Sequence, residues 1–174
     1  MQDKILLGFL MNGRKTGYEV KKLMEGSTSF FFNTSLGSIY PAFRKLEKNG
    51  LVNLEQSVES GRVKNTYTIT PEGRQAFSEW LEKSAGIQKV KEEFLLKIFF
   101  FSELPEEKRK RQIEEYVSRL AGKVEKLTLM KEGLAVNDVD AYMMKTLEFG
   151  IDYHTFLKEW HQRFLLSMTR KKDL

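Results

Sequence analysis

The chain has 174 residues, 41% apolar and 30% charged, the composition of a globular protein with one domain or two small ones, since domains commonly run ~100–150 residues. It contains no cysteine, which excludes disulfides, thiolate nucleophiles, thiolate metal sites and iron–sulfur ligation, and fits a reducing compartment. A net charge of +5 permits a polyanionic partner without demanding one, so the position of the cations has to decide.

No apolar run approaches the ~20 residues of a membrane span, and Asp3 and Lys4 are followed by only a short apolar stretch, unlike a secretory signal. A soluble cytoplasmic protein without membrane partners is therefore expected. Ile5, Leu6, Phe9 and Leu10 recur at helical spacing until Asn12-Gly13 stops the first helix. Thr16 caps a second helix carrying Tyr18, Val20, Leu23 and Met24, closed by Gly26-Ser27 ahead of Phe30, Phe31 and Phe32. A third runs from about Ser35 to Asn49-Gly50, with Ile39, Ala42, Phe43 and Leu46 on one stripe.

The period then changes. Val52, Leu54 and Val58 alternate with polar residues, and beyond Ser60-Gly61 so do Val63, Tyr67 and Ile69, which predicts a β-hairpin with Glu59, Ser60, Gly61 and Arg62 near its tip. Thr70-Pro71-Glu72 opens a fourth helix with a capping hydroxyl, a proline at the first helical position and an acid at the dipole's positive end. Ala76, Phe77, Trp80 and Leu81 are its expected buried face.

From Lys89 onward there is no strand signal. Phe94, Leu95, Ile98, Phe99 and Leu104 form one predicted helix. Pro105-Glu106-Glu107 begins a long one with Ile113, Val117, Leu120, Val124, Leu127, Met130 and Leu134 near heptad spacing, ending at a turn marked by Asn137 and Asp138. The last helix has two apolar rows: Met143, Leu147, Gly150, His154, Leu157, His161, Phe164 and Met168 form one, and Phe149, Tyr153, Phe156 and Trp160 the other. One partner buries one row, so the second predicts a homodimer.

Three helices followed by a two-stranded wing is the order of a winged helix-turn-helix, whose third helix enters the DNA major groove. At about 100° per residue, Ile39, Ala42, Phe43 and Leu46 share one direction, whereas Gly37, Pro41, Arg44, Lys45 and Lys48 lie opposite, flanked by Ser38 and Tyr40. Ser38, Tyr40, Arg44 and Lys45 are therefore candidates for phosphates and base edges, and Arg44 can contact guanine bidentately. A merely solvated helix face is the alternative. Arg62 and Lys64 weigh against it by placing cations where a wing straddles the backbone, with Asn65 and Tyr67 able to add neutral phosphate bonds.

Four stretches then resemble the PadR family of bacterial transcriptional regulators. They are Ile5-Leu6-Leu7-Gly8-Phe9-Leu10, Gly17-Tyr18-Glu19-Val20-Lys21-Lys22, the run from Gly37-Ser38-Ile39-Tyr40-Pro41 to Gly50-Leu51-Val52, and the run from Gly61-Arg62-Val63-Lys64 to Pro71-Glu72-Gly73-Arg74. The resemblance implies a winged-helix repressor binding near-palindromic double-stranded operators as a homodimer, with an all-helical C-terminal part similar to the phenolic-acid-responsive and virulence-activator relatives. It implies DNA contacts at Ser38, Tyr40 and Pro41, at Tyr18 and Lys21, and at Arg62 and Lys64.

The fold expected is mainly α with a small β-hairpin: a winged helix-turn-helix over 1–85 and an all-α antiparallel helical dimerisation and effector domain over 86–174. His154 and His161 share a helix face but sit ~10 Å apart, too far for one metal ion. They are read as seam histidines, with titration or an acidic effector as the alternative. The triplets Phe30–32 and Phe99–101 cannot bury every ring on one face, so some meet a partner, a ligand or the other domain. Phe31, Phe99, His154 and Trp160 are the candidates for a small hydrophobic or phenolic effector, bound where the two parts meet. No metal, cofactor or catalytic residues are assigned, for there is no Gly-rich phosphate loop and no nucleophile elbow. Lys108-Arg109-Lys110-Arg111, beside Glu106, Glu107, Glu114 and Glu115, reads as a helix laced by i,i+4 ion pairs. The rival to a DNA reader is a winged-helix module that binds protein.

Overall fold

Local sequence sets most boundaries of the first unit. A computed structural model describes residues 1–32, 36–59, 61–87, 92–135 and 139–170, without the side chains of 30, 36, 59, 62, 135, 169 and 170. Ser35, Ser60, Asn137 and Asp138, which figure in the expected boundaries, lie outside the described residues, as do the side chains of Phe30, Glu59 and Arg62. The chain divides into two compact units, Met1–Ile87 and Gln88–Leu174.

In the first unit α1 spans Gln2–Leu10, β1 Lys15–Thr16, α2 Gly17–Glu25, α3 Leu36–Lys48, β2 Val52–Glu59, β3 Arg62–Ile69 and α4 Pro71–Glu82. α2 begins in a full capping box: Glu19 N–H donates to Thr16 Oγ1 at 3.2 Å and Thr16 N–H donates to Glu19 Oε2 at 2.7 Å. α3 ends in a Schellman motif, Leu51 N–H to Leu46 O and Gly50 N–H to Glu47 O, both 2.9 Å, and the Gly50 φ of 70° suits a residue without a β-carbon. Thr70 caps α4 through Gly73 N–H and donates its hydroxyl to Gly50 O at 2.8 Å, which ties the end of α3 to the start of α4.

The strand order is β1-β3-β2, all antiparallel. The hairpin therefore carries a third strand that periodicity did not predict, with Lys15 opposite Tyr67 and Thr16 opposite Thr66. A two-residue strand has no alternation of its own, and its pairing is a tertiary event. Leu6, Leu7, Leu10, Val20, Ile39, Phe43, Leu46, Val52, Tyr67 and Ile69 are buried in one core. Phe43 and Tyr67 stack at 3.9 Å between centroids and 5° between planes. Three expected burials fail. Val58 and Val63 face each other across the ladder but are 72% and 69% exposed, because this end of the wing runs past the core, and Leu81 of α4 is also exposed.

The second unit contains α5 (Glu93–Phe99), a 3₁₀ turn (Phe101–Glu103), α6 (Glu106–Ala135) and α7 (Ala141–Arg170). Leu104 thus lies beyond the helix expected to contain it. α6 and α7 run antiparallel, since Lys131 pairs with Glu148 while Tyr116 packs on His161. Phe94, Phe101 and Ile113 form a core with Tyr116, Val117, Phe164 and Leu165 against it. The heptad row of α6 faces α7 through buried Ile113, Leu120 and Leu127. As expected, cations in the basic run pair along the helix, Lys110 with Glu106 and Arg111 with Glu115.

Candidate nucleic-acid interface

The hydrophobic stripe of α3 is consumed by the core, which fixes what its other side presents. Ile39, Phe43 and Leu46 are buried and Ala42 half-buried, while Gly37, Tyr40, Pro41, Arg44, Lys45 and Lys48 are exposed. The helix continues through Pro41, which lacks the amide hydrogen that Gly37 O would accept. Among the described residues no carboxylate lies within ion-pair distance of Arg44, Lys45 or Lys48. Cations on this face therefore keep their charge available to an external anion.

Three elements meet beside it. The first turn of α2, Tyr40 of α3 and the wing line a cleft of about 310 Å³ whose walls are Thr16, Gly17, Tyr18, Tyr40, Val63, Lys64 and Asn65. The structure thereby gathers Tyr18, Tyr40 and Lys64 from the expected set, and Arg44 and Lys45 continue along α3. Lys21, half-buried, pairs with Glu25 of its own helix at 3.2 Å, a surface i,i+4 pair that contributes little to stability. Lys22 Nζ lies 5.0 Å above the Tyr18 ring. Ser38 Oγ accepts a hydrogen bond from Gln2 Nε2 at 2.9 Å, so α1 orients the first hydroxyl of α3. Hydrogen bonds from the Thr16 backbone and side chain hold the Glu19 carboxyl below its usual range, with Lys64 and Lys15 adding to the effect.

Tyr67 does not serve as expected. It is buried, with its ring stacked on Phe43, which makes it part of the core and not of the exposed wing surface, and burial pushes its phenol up. Asn65 remains at the surface, its Oδ1 accepting from Gln56 Nε2 at 3.1 Å. Gly17, Thr16 and Gln2 escaped sequence analysis as parts of this face. The Thr16-x-x-Glu19 spacing was a readable signal for the first turn of α2, whereas the packing at Gly17 and Ser38 comes only from the tertiary fold.

The four effector candidates are not assembled into one pocket within either unit. Phe31 is exposed in the first unit and Phe99 on α5, where its ring meets that of its neighbour Phe100 edge-on. His154 is buried on α7 with Nδ1 2.9 Å from Gly150 O, and Trp160 packs against His161 and Phe164. What α5, α6 and α7 do gather is a polar cluster unread in the sequence. The Glu92 carboxylate accepts hydrogen bonds from the hydroxyls of Tyr116 and Tyr153. Burial and that bond push the Tyr153 phenol up to about 12. Burial also lowers the His154 pKa, and the Lys123 charge adds to the shift. His161 sits among Phe94, Tyr116 and Trp160 with Nδ1 2.6 Å from Leu157 O. Among the described residues no group of acids and histidines is placed to hold a metal ion, and no helix is long and apolar enough to cross a membrane.

Comparison with known proteins covers both units. Residues 6–79 match the profile of the transcriptional regulator PadR-like family, and residues 90–167 match that of the virulence activator alpha C-terminal region. The negative transcriptional regulator PadR of Bacillus subtilis is 28% identical over 168 residues, covering 88% of this chain and 91% of that protein. The PadR-like regulator BC1756 of Bacillus cereus superposes with a TM-score of 0.83 at 25% identity, over 98% of this chain and 99% of the other. Bacillus subtilis PadR has been solved with operator DNA (TM-score 0.85, 23% identity, 95% and 98% covered) and with p-coumaric acid (0.82, 22%, 96% and 98%). At those identities the two complexes speak to the fold.

Proposed function

Because the chain belongs to the PadR-like family of transcriptional regulators, we propose that it is a dimeric repressor of near-palindromic operators, released by a small hydrophobic or phenolic effector. The observation that carries this is the outward face of α3, whose Arg44 and Lys45 stand exposed and, among the described residues, without a carboxylate in ion-pair distance, beside the cleft of Tyr18, Tyr40 and Lys64. Two copies of α3 enter successive major grooves about 34–36 Å apart. Arg44, Lys45, Ser38, Tyr40 and the backbone around Pro41 meet the groove, Tyr18 and Lys21 the flanking phosphates, and Arg62 and Lys64 the backbone under the wing.

The first unit reads DNA and the second makes the dimer. Tyr142, Phe149 and Phe156 recur every seven residues on α7 and are 83%, 65% and 56% exposed in the single chain, a stripe that a second copy of the same helix covers. The sign of regulation follows the negative regulator that is similar over nearly the whole chain, and the effector class follows its p-coumaric acid complex. Of the effector candidates, His154 and Trp160 share α7 and are the first to test, followed by Phe99 and Phe31. The protein acts by binding alone, in the cytoplasm, and catalyses no reaction.

The test starts from a duplex selected by the purified protein out of a random-sequence pool. Tight, salt-dependent binding that Arg44→Glu abolishes while the dimer persists is the expected result. Failure to enrich any duplex, or enrichment indifferent to Arg44→Glu, overturns it. Release of that duplex by p-coumaric acid tests the effector class separately.

A further inference from the structure

Tyr40 belongs to α3, but what seats its ring lies on another helix. A β-carbon at Gly17, in the first turn of α2, would stand 2.9 Å from Tyr40 Cε1, 3.2 Å from Cζ and 3.4 Å from the hydroxyl oxygen, and these are its three nearest neighbours. Real β-carbons do not tolerate the first of these distances. The backbone does not require glycine there, because Gly17, unlike Gly13, Gly50 and Gly61, does not have a positive φ, and glycine is a poor helix former. The missing side chain therefore serves the ring.

Two other close glycines show the contrast. A β-carbon at Gly73 would meet the Leu51 carbonyl oxygen at 2.1 Å, a backbone atom that cannot give way, and one at Gly8 would meet Phe77, packed against the core, at 3.0 Å. Tyr40 is 40% exposed, so its ring can yield into solvent. The capping box between Thr16 and Glu19 holds the first turn of α2 in place, which makes the seat a fixed one.

We infer that Gly17 is a positioning residue for Tyr40: the bare backbone of α2 receives the phenol ring and aims it into the cleft shared with Tyr18, Val63, Lys64 and Asn65, so that α2 sets where the recognition helix presents this ring. The inference rests on the reading of that cleft as part of the DNA face. It commits α2 to specificity at the base or sugar that Tyr40 meets, in addition to any phosphate contact of its own.

The experiment uses the full chain labelled with 3-fluorotyrosine, the Tyr40 resonance being assigned with Tyr40→Phe. Gly17→Ala is expected to move that resonance in the free protein and to weaken binding to the selected duplex about tenfold, the scale of one well-placed polar contact. Its melting temperature should stay level while that of Gly73→Ala falls. Combining Gly17→Ala with Tyr40→Ala should weaken binding no further than Tyr40→Ala alone, because Gly17 acts through Tyr40. An unmoved fluorine resonance, losses that multiply in the double variant, or a Gly17→Ala melting temperature as low as that of Gly73→Ala overturns the inference. If Arg44→Glu leaves duplex binding intact, the DNA reading fails instead, and the fluorine shift still decides whether Gly17 seats the ring.

Discussion

Helices α3 and α7 solve the same packing problem to different degrees. α3 has one apolar stripe, and Ile39, Phe43 and Leu46 bury it within their own unit, leaving Arg44, Lys45 and Lys48 outside. α7 has two. Leu147, His154 and His161 are buried against the rest of their unit; of the second row, Tyr153 and Trp160 are half-buried there too, while Phe149 and Phe156, joined by Tyr142, remain exposed. The chemistry left over on each helix matches the partner proposed for it: cations and hydroxyls suit a polyanion, and a heptad-spaced aromatic row suits a second copy of itself.

Breaking the comparison on the α7 side has the largest expected effect. Phe149→Glu with Phe156→Glu should give a folded monomer in sedimentation and cut affinity for the selected duplex by about 10²–10⁴, the contribution of linking two half-site contacts. A stable dimer from this variant would remove α7 from the interface. On the inner face of α3, Phe43→Ala empties a fully buried site and loses the Tyr67 stack, so chemical denaturation should show a loss of about 3–5 kcal/mol. On its outer face, Arg44→Ala should leave that stability unchanged and cost about 1–3 kcal/mol of duplex binding. These two results together separate the two sides of one helix.

The smallest effect concerns pH. The His154 pKa is lowered in the folded chain, so below the ordinary histidine value near 6.5 the unfolded chain binds a proton that the folded one resists. Its contribution to stability is present at neutral pH and lost on acidification. Melting temperatures measured from about pH 7.5 down to about pH 5.5 should fall less steeply in His154→Gln than in the parent protein. Equal slopes would show that burial of His154 is not linked to folding.

What could be read in the sequence follows from the range of each signal. Caps and stops are local, so Thr16, Asn49-Gly50 and Thr70-Pro71 placed α2, α3 and α4 closely, and the outward face of α3 followed from its 3.6-residue period. β1 was unreadable because two residues carry no alternation. Val58 and Val63 misled because alternation records the pleat, whereas burial depends on whether the core reaches that far along the wing. Tyr67 looked like a wing contact until its stack on Phe43 placed it in the core. Glu92, Tyr116 and Tyr153 come from three separated stretches, and only the packing of α5, α6 and α7 brings them together. The resemblance to a known family carried the site assignments that periodicity could not, notably Tyr18, Lys21 and Pro41.

The central claim, that the exposed cations of α3 neutralise DNA phosphates, is tested most directly by the salt dependence of binding. The logarithm of the binding constant for the selected duplex should fall linearly with the logarithm of salt concentration between about 50 and about 200 mM. In Lys45→Ala the slope should shrink by about 1 for each copy of the chain, or about 2 for the dimer. A slope that Lys45→Ala and Arg44→Ala both leave unmoved would contradict the account.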